Sequence, residues 1–211
     1  VKLQYTFIGS VYGGWPLLNE TSRGSLIFSF GVGEDISFDL GSIDKHSCQV
    51  HAFDPTPRSQ KWVSEQRLPA EFCFHPEGLA GKNGIAEFAP PTNDEFASFH
   101  STRGMDATVS GAITRRVRTI QSWIEDLNIG RPDVIKMDIE GFEFEVIDDM
   151  ISSRCYPSQL LVEFHHGMYG FSDGDTRRAV ERLLSAGFEL YCVASSGREY
   201  AFYHPSEWSQ V

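Results

Sequence analysis

LIFSFGVGEDISFD, from Leu26 to Asp39, holds the turn around which the chain is organised. Leu26 to Phe30 are apolar or small, bounded by Arg23-Gly24 before and Gly31 after. A short unbroken run of this kind is how a strand reads when both of its faces are covered, so it predicts the first strand of a parallel sheet. Gly31-Val32-Gly33 then turns the chain, and Glu34-Asp35 opens a segment with Ile36, Leu40 and Ile43 at helical spacing. A helix is expected where the strand stops.

Two glycines at that junction remove Cβ atoms where the backbone turns, and a following helix presents unpaired N–H groups, so the corner reads as a ligand cradle. A phosphate-binding loop would need a Gly-Lys-Ser/Thr ending, which is absent, and the dinucleotide fingerprint would need a third glycine where Ile36 stands. Glu34 and Asp35 put negative charge where a pyrophosphate would sit. They favour a cationic ligand, and S-adenosylmethionine (SAM), with its amino group and sulfonium, suits the turn better than NAD.

The 211 residues make one domain or one domain with an appendage, and 41% hydrophobic content supports an ordinary core. A formal net charge of −11 argues against a nucleic-acid partner. Cys48, Cys73, Cys155 and Cys192 form no CxxC pair and read as small buried side chains in a reducing, cytoplasmic compartment. No run reaches the roughly 18 apolar residues of a membrane span, so no membrane partner is expected, and no signal-peptide pattern is seen. An opening at Val1 rather than Met is compatible with a trimmed leader. The sequence does not specify an oligomeric state.

Working outward, residues 1 to 25 read as an N-terminal appendage or flap, and 26 to 211 as the catalytic domain. Tyr5, Phe7, Tyr12, Trp15 and Leu17 surround a Gly13-Gly14 break. Either these aromatic groups close over a ligand, with Trp15 the leading candidate, or they pack on the core. Gln49 to Asp54, QVHAFD, predicts a second strand ending on an acid about 20 residues past the glycine turn, where a carboxylate accepts ribose hydroxyls. The alternative is that Asp54 caps a helix beginning near Arg58. Glu71 to His75 predicts a third strand, and Gly78, Leu79 and Ala80 in the turn beyond it are placed to flank an adenine. Ile85 to Phe88 reads as a short additional strand, and residues 90 to 112 as a substrate-side lid.

Arg115, Arg116 and Arg118 cluster in an otherwise acidic chain, where Arg115 is either an anchor for an acidic acceptor or part of a solvated run. A helix through Leu127 carries Ile120, Trp123, Ile124 and Leu127 on one face. Val134 to Met137 is a buried strand followed by Asp138, Glu140 and Gly141. Asp138 is placed to orient the acceptor, the methionine amino group or a metal. Lys136 inside the strand needs a partner, expected to be a carboxylate. Glu143 and Glu145 read as helix-start acids complementing the dipole, with Phe144, Ile147 and Ile151 as the core face. Leu160 to Phe164 ends in His165-His166, and a histidine there is the candidate general base. Neighbours on an extended chain point to opposite sides, so one of the two enters the site. Asp138, Glu140, Glu163 and His165 are also hard oxygen and imidazole ligands, so a divalent metal is an open alternative, though with no spacing motif to support it the metal reading is not favoured. Thr176 to Ala186 is a helix with Ala179, Val180, Leu183 and Leu184 inward, and the chain closes with a hairpin.

SFGVGEDISFD at 29 to 39, HAFDPTP at 51 to 57, KMDIEGFE at 136 to 143 and VEFHHG at 162 to 167 resemble the FkbM-type methyltransferase family. The resemblance runs from about Tyr12 to Tyr203. It implies an α/β, Rossmann-like class I methyltransferase with a seven-stranded, mostly parallel sheet and a C-terminal antiparallel hairpin. It implies SAM as cofactor and methyl transfer to an oxygen of a small-molecule acceptor, often a sugar or natural product. Carried over by position, Phe30, Gly31, Val32, Gly33, Glu34 and Asp35 would bind the methionine part and Asp54 the ribose. The family's acidic motif falls on Asp138, Glu140 and Gly141, with Glu140 on the acceptor side. The expected chemistry is in-line displacement at the sulfonium methyl with His165 or His166 taking the hydroxyl proton. An NAD-dependent oxidoreductase and a non-catalytic SAM-binding module are the alternatives.

Overall fold

The computed structural model describes residues 3–90, 100–101 and 110–208. Most of the lid expected over 90 to 112 lies outside the described residues. A hairpin of β1 (Tyr5–Ile8) and β2 (Trp15–Leu18) comes first. Then follow β3 (Leu26–Phe30), α1 (Ser37–His46), β4 (Gln49–Phe53), α2 (Pro57–Ser64) and β5 (Phe72–His75). Four short strands come next: β6 (Gly78–Leu79), β7 (Gly84–Ala89), β8 (His100–Ser101) and β9 (Ile113–Arg118). The chain continues through α3 (Ile120–Leu127), β10 (Val134–Met137), α4 (Glu143–Ser153), β11 (Gln159–Glu163) and α5 (Asp173–Ser185). It ends with β12 (Glu189–Val193), β13 (Glu199–Tyr203) and α6 (Pro205–Trp208).

Seven strands form the main sheet in the order β5-β4-β3-β10-β11-β13-β12. The first five pair in parallel, and β13 enters antiparallel between β11 and β12. Successive residues of a strand face opposite sides, and the core divides accordingly. Phe28, Ile135 and Leu160 pack with Trp123 of α3, Ile147 of α4 and Leu183 of α5. Ile27, Val134 and Leu161 pack on the other face with Phe38 of α1, Val63 of α2 and Trp15 and Leu17 of the hairpin. Helices therefore cover both faces, which is why these strands read as unbroken apolar runs.

Several details differ from the sequence reading. Trp15 is 4% exposed and packs in the core, so it is not a mobile flap residue; Val11 and Tyr12, between β1 and β2, are the exposed side chains there. The arginine cluster is strand β9 of a separate four-stranded sheet, β6-β9-β7-β8. Helix α1 starts at Ser37, three residues later than Glu34 suggests, because Asp35 turns back to accept from the Ser37 N–H at 2.7 Å. On α5, Leu184 is 46% exposed. Cys73 is exposed and Cys192 half-buried, so burial accounts only for Cys48 and Cys155. Among the described residues no helix is long and apolar enough to cross a membrane.

Beside the main core, His51 Nδ1 and His75 Nε2 lie 2.9 Å apart on β4 and β5, with their rings stacked. Burial, reinforced by His51, pushes His75 down to about 4. Unfolded, it would titrate near 6.5, so between about 6.5 and 4 the unfolded chain binds the extra proton and the native state does not. The stability this neutral pair contributes is complete above about pH 6.5 and is lost as pH falls toward 4. Wild type is therefore expected to lose melting temperature relative to His75→Phe between pH 7.5 and 4.5. A gap independent of pH would show that the pair is not neutral-locked.

Candidate active site

The strand order reverses between β3 and β10, and in open α/β sheets the ligand crevice lies there, past the carboxyl ends of the strands. A cavity of about 920 Å³ occupies this place, at the upper end of the roughly 300–1,000 Å³ usual for small-molecule sites. Gly31 bounds it with φ +84°, and a Cβ there would lie 1.7 Å from the Asp138 carbonyl oxygen. Only glycine lets β3 and β10 approach so closely. Gly33 also has a left-handed φ of +55°, but a Cβ on it would meet nothing within 4 Å, and it lines the cavity. The first glycine serves packing; the second leaves backbone open to a ligand.

Asp54, the residue just past β4, is 5% exposed and lines the cavity. Its Oδ2 accepts from the Val32 and Gly33 N–H groups, each at 3.0 Å, and its Oδ1 from the Thr56 N–H at 2.8 Å and hydroxyl at 2.6 Å. The acid thus braces the glycine turn, while Thr56 caps α2. Lys136 finds carbonyl groups rather than the expected carboxylate: Nζ donates to Phe30 O at 3.3 Å and Gly31 O at 2.5 Å. Glu34 is neutralised by Arg58 at 2.7 Å. Asp35 accepts from the Ser10 hydroxyl at 2.6 Å; against the rise burial would bring, this and the Ser37 bonds hold its pKa low.

The other wall is built after β10 and β11. Glu140 holds a φ of +53°, followed by Gly141 at +102°, a conformation that costs a non-glycine residue about 1–3 kcal/mol and clusters at functional sites. Tyr169 donates to Glu140 Oε2 at 2.6 Å. Glu143, fully buried, is the hub of this wall. It accepts from the N–H groups of Ile139 and Gly141 and sits 2.6 Å from His165 Nδ1. Glu143 and Glu145 do stand in the first turn of α4, as the sequence suggests, but each also has a tertiary partner: Glu143 meets His165, and Glu145 reaches the Gly81 N–H at 3.1 Å.

His165 is 3% exposed, and its Nε2 lies 3.2 Å from Glu140, 3.7 Å from Asp138 and 3.9 Å from Glu163. Burial alone would lower its pKa, but Glu143, then Glu140 and Asp138, outweigh it and push the imidazole up to about 10. Burial and then Asp138 push Glu163 up to about 8. His166 does not line the cavity; its Nδ1 meets the Thr176 hydroxyl at 3.2 Å. Arg115 is also outside it, donating from Nε to Pro55 O at 3.0 Å. Phe30, Val32, Gly78, Leu79 and Trp15 line the cavity, whereas Ala80 is buried behind them. Met168, Tyr169, Arg198 and Glu199 line it too and were not singled out in the sequence.

Within the main sheet the strands run 3-2-1-4-5-7-6, and with a glycine turn and acids at the switch point they define a Rossmann-like methyltransferase domain. Residues 29–190 match the methyltransferase FkbM domain family, and the chain belongs to it. It is 26% identical over 144 residues to hexuronic acid methyltransferase AglP of Haloferax volcanii, covering 64% of this chain and 58% of that protein. It is 24% identical over 162 residues to "Probable methyltransferase-like protein 24" of Rattus norvegicus, covering 74% of this chain and 37% of that protein. The chain thus spans less than two thirds of the length of either relative. The crystal structure of methyltransferase FkbM from Methylobacillus flagellatus KT superposes with a TM-score of 0.54 at 15% identity, over 88% of this chain and 44% of that one.

Proposed function

We propose that this chain binds SAM at the glycine turn and directs its methyl group to a hydroxyl of a small-molecule acceptor, a sugar bearing a carboxylate being the favoured class. The carrying observation is that one cavity is lined both by the glycine turn with its Asp54 brace and by the Asp138, Glu163 and His165 group. The donor set fits the cofactor. Gly33 leaves an open backbone face, Gly78 and Leu79 offer small and apolar wall for a base, and Asp35, Asp138 and Glu163 suit a cationic ligand. When bound, SAM supplies an electrophilic methyl group.

Each of the chain's own residues then has a task. Phe30 to Asp35 hold the methionine part, and Asp54 keeps the turn in shape beside the ribose. Glu140, oriented by Tyr169, is a partner for acceptor hydroxyls. Arg198 lines the cavity with its guanidinium on Met168 Sδ at 3.4 Å and no carboxylate within ion-pair distance among the described residues. It is suited to an acceptor carboxylate, in keeping with the likeness to a hexuronic acid methyltransferase. His165 opens on the cavity as an imidazolium at neutral pH, and the Glu163 carboxylate beside its Nε2, raised to about 8, is the group that receives the hydroxyl proton. His165→Gln is expected to cut turnover on a uronic-acid acceptor by about 10²–10⁴ while SAM affinity stays within about threefold. Parallel loss of both, read by product formation and calorimetry, would contradict a role for His165 in proton transfer.

A further inference from the structure

We propose that Asp138, Glu163 and His165 bind one divalent cation of the magnesium or manganese class within the cavity. The inference deepens the methyl-transfer reading and rests on it for the ion's use, though not for the site itself. One ligand atom from each residue lies within 4.8 Å of the others. His165 Nε2 is 3.7 Å from Asp138 Oδ1 and 3.9 Å from Glu163 Oε1. Around an octahedral ion with bonds near 2.1 Å, adjacent ligands stand about 3 Å apart and opposite ones about 4.2 Å. Side-chain adjustments below about 1 Å would therefore close the set.

A second observation is independent of the carboxylates' proximity. The His165 ring is almost wholly buried and is held from behind, with Nδ1 at 2.6 Å from the fully buried Glu143, so that Nε2 faces the cavity carboxylates, Glu140 Oε2 nearest at 3.2 Å and Asp138 and Glu163 just beyond. A carboxylate behind the imidazole is the arrangement that fixes tautomer and ring orientation in metal-ligating histidines. Moreover, neither the Asp138 nor the Glu163 carboxylate accepts a hydrogen bond among the described residues, whereas Glu140 is engaged by Tyr169. The two free acids sit on rigid supports, one just past β10 and the other at the end of β11, on adjacent parallel strands. Two carboxylates and one imidazole, with no cysteine in the cavity lining, select hard cations over soft ones. Ion binding displaces the Nε2 proton of His165, and three protein ligands leave positions for acceptor hydroxyl oxygens, which such an ion acidifies.

The test is a titration of the full chain, stripped with chelator, with Mn²⁺ alone, followed by loss of the free-ion paramagnetic resonance signal. The site predicts about one ion per chain, bound at least tenfold more weakly in Glu163→Gln and Asp138→Asn and unchanged in the exposed control Glu181→Gln. Absence of stoichiometric binding, or binding indifferent to both substitutions, would overturn it. If Asp138→Asn misfolds by circular dichroism, Glu163→Gln decides. SAM calorimetry on the same preparation separates the two readings. SAM binding without Mn²⁺ binding overturns the metal site and leaves methyl transfer standing, while Mn²⁺ binding without SAM binding supports the site and removes the cofactor reading.

Discussion

Gly31→Ala is expected to abolish SAM binding and to lower stability by about 2–5 kcal/mol. The sum has two parts: left-handed strain of roughly 1–2 kcal/mol for a Cβ at φ +84°, and overpacking of about 1–3 kcal/mol where that Cβ meets the Asp138 carbonyl. Relief requires β3 and β10 to part, which would also pull Lys136 off the Phe30 and Gly31 carbonyls. Gly33→Ala provides the contrast. It carries similar strain but meets open space, so stability should fall by only about 1–2 kcal/mol while SAM affinity falls at least tenfold. Denaturant unfolding and calorimetry on both variants read the difference. Equal stability losses would mean that the approach of Gly31 to Asp138 is not what fixes the turn.

Glu143→Ala is expected to be the most damaging change among the acids. It strips the acceptor from His165 Nδ1 and from the Ile139 and Gly141 N–H groups, and breaking a buried charged pair costs about 3–5 kcal/mol. Glu143→Gln keeps the shape and one acceptor oxygen, so it should fold while losing turnover, because His165 is no longer held as before. A stable Ala variant with full turnover would show that the hub neither supports the wall nor positions the histidine.

The sheet was legible in the sequence because strands covered on both faces must be apolar on both faces, and LIFSF, VIKM and LLVEF have no solvent side to encode. The glycine turn, Asp54, Asp138 and the His165 position were legible for a related reason: ligand chemistry in this topology gathers at strand ends. What escaped depends on tertiary partners. Glu143 carries the same local signature as any helix-start acid, and only the approach of β11 to the start of α4 turns it into a buried ion partner. Trp15 and Arg115 had the right chemistry, but Trp15 was drawn into the core and Arg115 onto the Pro55 carbonyl. The small second sheet was hidden because β9, ITRRVR, reads as a charge run until its pairing with β7 and β6 is known.

The central claim is that the cavity beside the glycine turn is a SAM site, and calorimetric titration with SAM and with NAD tests it most directly. Micromolar binding of SAM is expected, none of NAD, and loss of the SAM signal in Asp54→Ala, whose brace on the Val32 and Gly33 N–H groups is gone. No SAM binding by the wild-type chain, or binding of NAD in its place, would contradict it.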